Sequence, residues 1–138
     1  MSPNKQTVDR YMEAFTRSDK PAVLACLADD VEWVLPGAFH LHGKAEFEAE
    51  IVNPAFEPNP AITTTRMVEE KDVVIAEGRV RAEKKDGGAV HLFFCDVFEM
   101  SGGFIRRLTS YLMPVDQPGD VAQQLVDTAA AEDSSSQA

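Results

Sequence analysis

The second half of the chain alternates between apolar and polar residues with a period of two, and this pattern constrains the fold more than any other feature. Four segments carry it in succession, residues 61–70, 72–84, 89–100 and 104–115. The separators Lys71-Asp72, Asp86-Gly87-Gly88 and Ser101-Gly102-Gly103 are each short enough for a hairpin. The pattern therefore predicts an antiparallel meander of four strands.

The first half of the chain shows helical spacing instead. Ser2 is a predicted N-cap before Pro3, and Val8, Tyr11 and Met12 recur on one helical face. A second helix is predicted from Ser18 or Asp19 through Pro21, and a third over residues 44–56, using Phe47 and Ile51 and ending before Pro54. One strand, with Val31, Trp33 and Leu35 alternating before Pro36, lies between them, and residues 37–43 are predicted as a loop.

Three helices with one early strand, followed by a meander, predict an α+β fold in which helices cover one face of a curved mixed or antiparallel sheet. We expect one domain over residues 1–116 and an acidic tail over residues 117–138. In the tail, Val121 and Leu125 favour one short helix, and residues 132–138 are too polar to pack, which predicts disorder.

Charge and composition exclude several classes of function. The net charge is −10, and no basic stripe interleaved with aromatic residues is present, which disfavours nucleic-acid binding. No apolar run has the length of a membrane span, and the first residues lack the pattern of a secretory signal, so we expect a cytoplasmic protein. Cys26 and Cys95 lie in apolar surroundings, which favours free thiols over a disulfide.

Asp96 interrupts an otherwise apolar strand. In VHLFFCDVFEM, residues 90–100, both faces of the predicted strand are apolar, so neither register brings Asp96 to water. An unpaired ionised carboxylate in an apolar site costs several kcal/mol, and its pKa rises instead. Asp96 is therefore either a neutral hydrogen-bond donor beside a pocket or the ion-pair partner of Arg79 or Arg81.

Two stretches of the chain resemble a known family. LADDVEWVLPG (residues 27–37) with HGK downstream, and the hairpin DVFEMSGGFIRRLTSY (residues 96–111), are similar to the SnoaL-like and ketosteroid-isomerase-like branch of the nuclear transport factor 2 superfamily. The resemblance runs from about Val8 to Val115. It implies a cone whose curved sheet and helices enclose a pocket, and a homodimer formed through the outer sheet face. The implied outer face carries Phe93, Cys95, Val97 and Tyr111, and the implied inner face carries Leu92, Phe94, Asp96 and Phe98.

The resemblance also implies catalytic roles for Tyr11 and Asp96. Ketosteroid isomerases hold a developing oxyanion with a protonated Asp and a Tyr, and Asp96 and Tyr11 align with that pair. Those enzymes place a general-base Asp before the proline that ends the first strand, where this chain has Leu35. Because Leu35 cannot accept a proton, an isomerase of this family would need another base. Without the resemblance, the better interpretation of Tyr11 is a core residue whose hydroxyl finds any polar partner.

Glu77 is the first candidate for that base. Limonene epoxide hydrolases carry an Arg and an Asp two residues apart on the corresponding strand, and Glu77 and Arg79 align with them with the charges exchanged. A further Asp of those hydrolases aligns with Ser110, so their triad is not intact. The alternative is that Glu77, Arg79 and Arg81 form a solvated sheet face with cross-strand charge pairs.

His40 is the second candidate, because imidazole titrates near neutral pH. His40 and His42 also have the spacing of metal ligands on a strand, but a metal site needs a third ligand. The remaining histidine, His91, is predicted on the outer face. We therefore predict no metal and no cofactor, with loop polarity for one histidine and a pocket acid or base for the other.

The remaining predicted ligand-binding residues form the pocket wall, with Trp33 either a flat wall for a cyclic ligand or simply the largest core residue. They are Trp33, Leu35, Arg79, Phe94, Phe98, Ser110 and Leu112.

Taken together, the residues and the resemblance predict a cofactor-independent acid/base enzyme of the isomerase, cyclase or dehydratase type. Its substrate would be a small, apolar, cyclic or polyketide-like carbonyl compound. The alternative is a non-catalytic domain that binds a hydrophobic ligand or serves as a dimerisation module, since Leu35 replaces the base. A third alternative is protein recognition of the nuclear-transport kind.

Overall fold

The computed structural model describes residues 1–115, and the predicted tail, with the helix through Val121 and Leu125, lies outside the described residues. The described part contains three helices, α1 (Pro3–Thr16), α2 (Lys20–Leu24) and α3 (Gly43–Ala49). Its strands are β1 (Leu27–Leu35), β2 (Phe39–His42), β3 (Ala61–Glu70), β4 (Val73–Glu83), β5 (Ala89–Ser101) and β6 (Phe104–Val115). Over residues 1–115, none of the helices is long and apolar enough to cross a bilayer.

The first two helices begin at the predicted capping residues. The Ser2 side chain accepts a hydrogen bond from the amide of Lys5, and Asp19 accepts one from the amide of Ala22. Each bond satisfies one of the amide donors that a helix start leaves free, and the proline in the first turn loses nothing by lacking an N–H. Helix α1 buries the predicted stripe of Val8, Tyr11 and Met12 against the sheet.

The strands form one sheet in the order β2-β1-β6-β5-β4-β3. The segment from β3 to β6 is the predicted antiparallel meander, whereas β1 pairs with β6 in parallel. Register shifts lie between Thr64 and Arg66 and between Glu99 and Met100, and such irregularities bend a strand. The sheet is curved and unclosed, and the predicted α+β class is confirmed.

Residues 39–42 form a strand, and the predicted loop was wrong there. Gly37 takes a φ of +83°, and the Ala38 amide donates to the Leu35 carbonyl, so the chain turns tightly after β1. Strand β2 then pairs antiparallel with β1, with Trp33 opposite Leu41 and Leu35 opposite Phe39. Four residues are too few for an alternating pattern to stand out, and the partner strand supplies the missing constraint.

Helix α3 is shorter than predicted, because it ends at Ala49 and the buried Ile51 follows in a turn. Phe47 is fully buried in this helix and stacks on Trp33 with ring centroids 4.4 Å apart. The ring of Tyr11 meets Phe98 edge-on at 5.4 Å. The core therefore lies between the helices and the concave face of the sheet, and the strand residues on that face also form the floor of a pocket.

Candidate functional site

A pocket of about 320 Å³ opens between helix α1, the segment after α3 and the concave face of the sheet. Aromatic and aliphatic side chains make up most of its lining, including Met12, Phe15, Trp33, Phe39, Ile62, Val80, Leu92 and Phe94. Ligand pockets of this size and composition accept small, mainly apolar molecules, which are oriented by a few polar groups. Three polar side chains that are themselves buried face this pocket, those of Tyr11, Asp96 and Ser110.

Asp96 lies on the concave face of β5, between the buried rings of Phe94 and Phe98. Its side chain is 9% exposed, and its buried Oδ1 has no hydrogen-bond partner among the described residues. On β4 its neighbour across the strand pair is Ala76, which offers no polar group. Burial raises the pKa of Asp96 from its usual 3.8 to about 7, while the hydroxyl of Ser110 acts in the opposite direction. Near neutral pH, Asp96 is thus present in both its protonated and its ionised form.

Within residues 1–115, neither Arg79 nor Arg81 forms the ion pair with Asp96 that was considered as an alternative. Arg81 pairs with Glu83 along its own strand. Arg79 lies opposite Phe93 and points to the convex face of the sheet, where it lines a groove with Cys95 and Tyr111. The carboxyl group therefore faces the pocket without a counter-charge from either of these arginines.

Ser110 lies between Asp96 and Trp33, which forms one wall of the pocket. It lies opposite Asp96 on β6, and its Oγ accepts a hydrogen bond of 3.0 Å from Trp33 Nε1. Since this bond uses Ser110 as an acceptor, its own hydroxyl proton can point towards the carboxyl group. Trp33 is in turn held by its stacking on Phe47. The hydrogen bond fixes the indole ring as a flat wall next to the acid.

Tyr11 lines the pocket from helix α1 and is 3% exposed. Burial raises the pKa of Tyr11 well above 10, and the nearby charges of Asp96 and then Cys26 raise it further. The phenol is therefore protonated at any physiological pH and can donate a hydrogen bond. Tyr11 and Asp96 are thus two buried groups of the pocket lining that can donate a hydrogen bond.

The structure brings together most of the residues singled out in the sequence. Those that line the pocket are Tyr11, Trp33, Leu35, Phe94, Asp96, Ser110 and Leu112. Phe98 was expected to contact the ligand, but it is fully buried beneath the pocket, where it packs against Tyr11. The prediction that Phe98 lines the pocket and contacts a ligand was therefore wrong.

Glu77 and Arg79 lie on the convex face, so their predicted position in the pocket was wrong. Strand β4 turns Ala76, Gly78 and Val80 to the concave face, and the alternate residues Glu77 and Arg79 therefore face outward. Gly78 fixes this register, since a Cβ there would stand 2.9 Å from the ring of Phe94. Glu77 instead pairs with Arg66 across the strands at 2.6 Å, as the solvated-face alternative predicted.

His40 also lies away from the pocket, contrary to its predicted role as a pocket acid or base. Strand β2 turns Phe39 towards the pocket, and the alternation of the strand places His40 on the exposed side. There its Nε2 lies 2.9 Å from Glu32 Oε1.

Sequence reasoning missed the wall formed by residues 51–60, the first part of which was predicted as the end of the third helix. This segment is fixed to the end of β4, because the Glu57 amide donates to the Glu83 carbonyl at 2.8 Å and Lys85 donates to Ala55 at 3.1 Å. Phe56, Pro58 and Pro60 then close one side of the pocket, with the exposed Glu57 beside them. The apolar Phe56 between prolines was the available signal.

The chain was compared with known families and structures. A family model described as SnoaL-like domain matches residues 8–108. No curated protein sequence matches the chain. Among solved structures, an NTF2-like protein of unknown function from Burkholderia pseudomallei is 28% identical, and the match covers 82% of this chain and 92% of that chain with a TM-score of 0.74.

Two further structures resemble this chain in fold alone. An LEH-like epoxide hydrolase from M. tuberculosis is 18% identical, with 80% of this chain and 83% of that chain covered and a TM-score of 0.71. A protein with a ketosteroid isomerase-like fold from Catenulispora acidiphila, in complex with trimethylamine, is 17% identical, with 76% and 83% covered and a TM-score of 0.70. These neighbours confirm the predicted cone-shaped architecture.

Proposed function

The chain belongs to the SnoaL-like domain family, and from this premise we propose that its pocket binds a small, mostly apolar cyclic carbonyl compound and acts on it as an acid/base enzyme without a cofactor. One observation carries the proposal: Asp96 Oδ1 is buried against an apolar pocket and has no partner among the described residues. A buried carboxyl oxygen without a partner is costly to the fold, and a ligand oxygen that accepts its proton would satisfy it.

The chemistry follows from the protonation states of the two donors. Protonated Asp96 and the Tyr11 hydroxyl would both donate to the carbonyl oxygen and stabilise the negative charge that develops there during enolisation. Enolisation also breaks a C–H bond next to the carbonyl, and protonated Asp96 cannot accept that proton. Glu50 and Glu57, the other carboxylates of the pocket lining, are the groups that would take it up and return it. Isomerisation, cyclisation and dehydration next to a carbonyl all use this step.

The shape of the pocket supports a ring-shaped ligand. Trp33 presents the plane of its indole, while Phe15 and Phe39 meet it edge-on at 6.1 Å and 5.2 Å. A volume of about 320 Å³ is at the lower end of the range for small-molecule sites. A compound of a few fused rings would fill it.

Turnover by matched variants tests the proposal. A thermal-shift screen of steroids, terpenoids and aromatic acids identifies a ligand, and the reaction is then followed with Asp96→Asn and Tyr11→Phe. We expect each variant to lower kcat by about 100-fold to 1,000-fold, as loss of an oxyanion donor does. Glu77→Gln is the control, because it makes the same carboxylate-to-amide change on the opposite face of the sheet. Unchanged kcat in Asp96→Asn would disprove the catalytic role.

Binding without catalysis is the second candidate function, and Leu35 favours it. The side chain at this position lines the pocket and cannot take up a proton, and the two remaining acids of the lining, Glu50 and Glu57, are exposed. A pure binding domain would show a thermal shift with its ligand, no product over time, and altered affinity in Asp96→Asn.

We further propose that the convex sheet face pairs with a second copy of the chain. Tyr111 and Met113 are each 54% exposed on this face. They continue an apolar patch that includes Phe93 and Val97 on the neighbouring strand, and Tyr111 lies directly opposite Cys95. An apolar patch on the convex face of a small domain is typical of a protein interface.

A further inference from the structure

Three side chains that commonly bind metals converge on the hairpin of β1 and β2. Glu32 extends from β1, and His40 and His42 extend from β2. Their ligating atoms all lie within 4.8 Å of one another. Glu32 Oε1 is 2.9 Å from His40 Nε2 and 3.7 Å from His42 Nδ1. The two imidazole rings are stacked, with their centroids 4.3 Å apart and their planes at 28°.

The strand register explains why these three side chains meet. Glu32 and His42 are direct partners across the antiparallel pair, and His40 is two residues from His42 on the same face. The alternate residues Trp33 and Phe39 point to the pocket. The cluster is therefore on the side of the hairpin away from the pocket, on the edge strand of the sheet.

We propose that Glu32, His40 and His42 bind a divalent transition-metal ion. Zinc binds imidazole nitrogen and carboxylate oxygen at about 2.0–2.2 Å, and tetrahedral geometry then places neighbouring ligand atoms roughly 3.3–3.6 Å apart. The distances of 2.9 Å and 3.7 Å from Glu32 Oε1 to the two histidines fall on either side of that range. Small rotations of His42, whose side chain is 62% exposed, would bring its nitrogen to the ion.

A fourth residue orients the carboxylate. Arg107 Nη1 lies 3.7 Å from Glu32 Oε2, the oxygen that does not face the histidines, and Arg107 Nε lies 3.5 Å from Glu99 Oε2. A guanidinium group on one carboxylate oxygen leaves the other free for a metal, as outer partners of metal ligands do. Arg107 is thus a positioning residue for Glu32.

The donor set selects the class of ion. Two imidazoles and one carboxylate suit Zn²⁺, Ni²⁺ or Cu²⁺, whereas Mg²⁺ and Ca²⁺ prefer sites built from oxygen atoms. Three ligands from the protein leave at least one coordination position for water or another donor. The inference does not depend on the function proposed for the pocket, because none of the three side chains lines it.

Zinc titration of the full chain, with any affinity tag removed, tests the site. Isothermal titration calorimetry with Zn²⁺ alone should give one ion per chain, and Mg²⁺ under the same conditions should give no heat of binding. His42→Ala and Glu32→Gln should each weaken Zn²⁺ binding by at least about tenfold. His91→Ala is the matched control and should leave the affinity unchanged, because His91 is not part of the cluster.

The outcomes separate a metal site from a simple hydrogen-bonded cluster. Circular dichroism first establishes that the variants keep their fold, and Glu32→Gln nearly preserves the shape of the side chain. If the wild-type chain does not bind Zn²⁺, or if His91→Ala weakens binding as much as His42→Ala does, the proposal is wrong. In either case the histidines and Glu32 form only an exposed hydrogen-bonded group.

Discussion

Asp96 and Ser110 face each other across β5 and β6, and Ser110 holds Trp33 by a hydrogen bond of 3.0 Å. One serine therefore touches both the acid of the pocket and its largest flat wall. On the opposite side of Asp96 lies Ala76, which is fully buried. Ser110 is therefore the hydrogen-bonding neighbour that favours the ionised form of Asp96, and the first two predictions follow from this arrangement.

Ser110→Ala should destabilise the fold and shift the pKa of Asp96 further upwards. The substitution leaves the buried N–H of Trp33 without its acceptor, at a cost of about 1–3 kcal/mol in the free energy of unfolding. It also removes the hydroxyl that stabilises the ionised form of Asp96. Urea denaturation measures the first effect, and NMR titration of the carboxyl carbon measures the second. Ser101→Ala, at an exposed serine, is the control; equal effects of both changes would contradict the prediction.

The stability of the wild-type chain should fall as pH rises from about 4 to about 7, owing to Asp96. The folded state retains a proton on Asp96 up to about pH 7, whereas the unfolded chain releases it near its usual pKa of 3.8. Unfolding thus becomes easier with each pH unit between these values, and the total loss is on the order of 4 kcal/mol.

Asp96→Asn isolates this contribution. Other carboxyl groups titrate in the same range, so the informative quantity is the difference between the two curves of unfolding free energy against pH. From pH 4 to pH 8 the free energy of unfolding of Asp96→Asn should rise relative to that of the wild type, because an amide cannot ionise. Parallel curves from urea denaturation would show that Asp96 has an ordinary pKa.

The meander could be predicted closely from the sequence, and the reason is physical. Between residues 61 and 115 the predicted and observed strands agree within one or two residues. Short separators lie between the strands, two of them with a pair of glycines, and each strand is long enough for its period to be visible. Strand β2 is four residues long, and its existence depends on pairing with β1, which a local pattern does not contain.

The candidate site could be predicted only in part. An alternating pattern groups Glu77 with Arg79 and Arg81, but which face turns inward is decided by packing, here by the contact between Gly78 and Phe94. Asp96 could be identified from the sequence because both faces of its strand are otherwise apolar. Glu32 lies close to His40 and His42 because β2 pairs with β1. Since residues 37–43 were predicted as a loop, this cluster could not be predicted.

Gly78→Ala should destabilise the chain because the backbone and an aromatic ring leave no space for a side chain. A Cβ at this position would lie 1.9 Å from the Thr63 carbonyl oxygen and 2.9 Å from Phe94 ring carbons. Over-packing of this kind costs about 1–3 kcal/mol or more, and movement of Phe94 would also narrow the pocket. Urea denaturation checks the loss, with Arg79→Ala on the exposed face as the control. A variant as stable as the wild type would mean that β3 and Phe94 move at little cost to make room for the added methyl group.

The convex face provides the last prediction, which concerns the oligomeric state. If this face pairs with a second copy, the double variant Tyr111→Glu and Met113→Lys should be monomeric, because it places charges in the middle of an apolar interface. Both side chains are more than half exposed in the single chain, so the fold itself should survive the change. Light scattering after size-exclusion chromatography measures the mass, and circular dichroism verifies the fold.

Phe104→Glu is the control, since Phe104 is 48% exposed but lies at the hairpin end of β6. A wild-type chain that is monomeric at high concentration, or a double variant that remains dimeric, would exclude this face as the interface, and the exposure of Tyr111 would then need another partner.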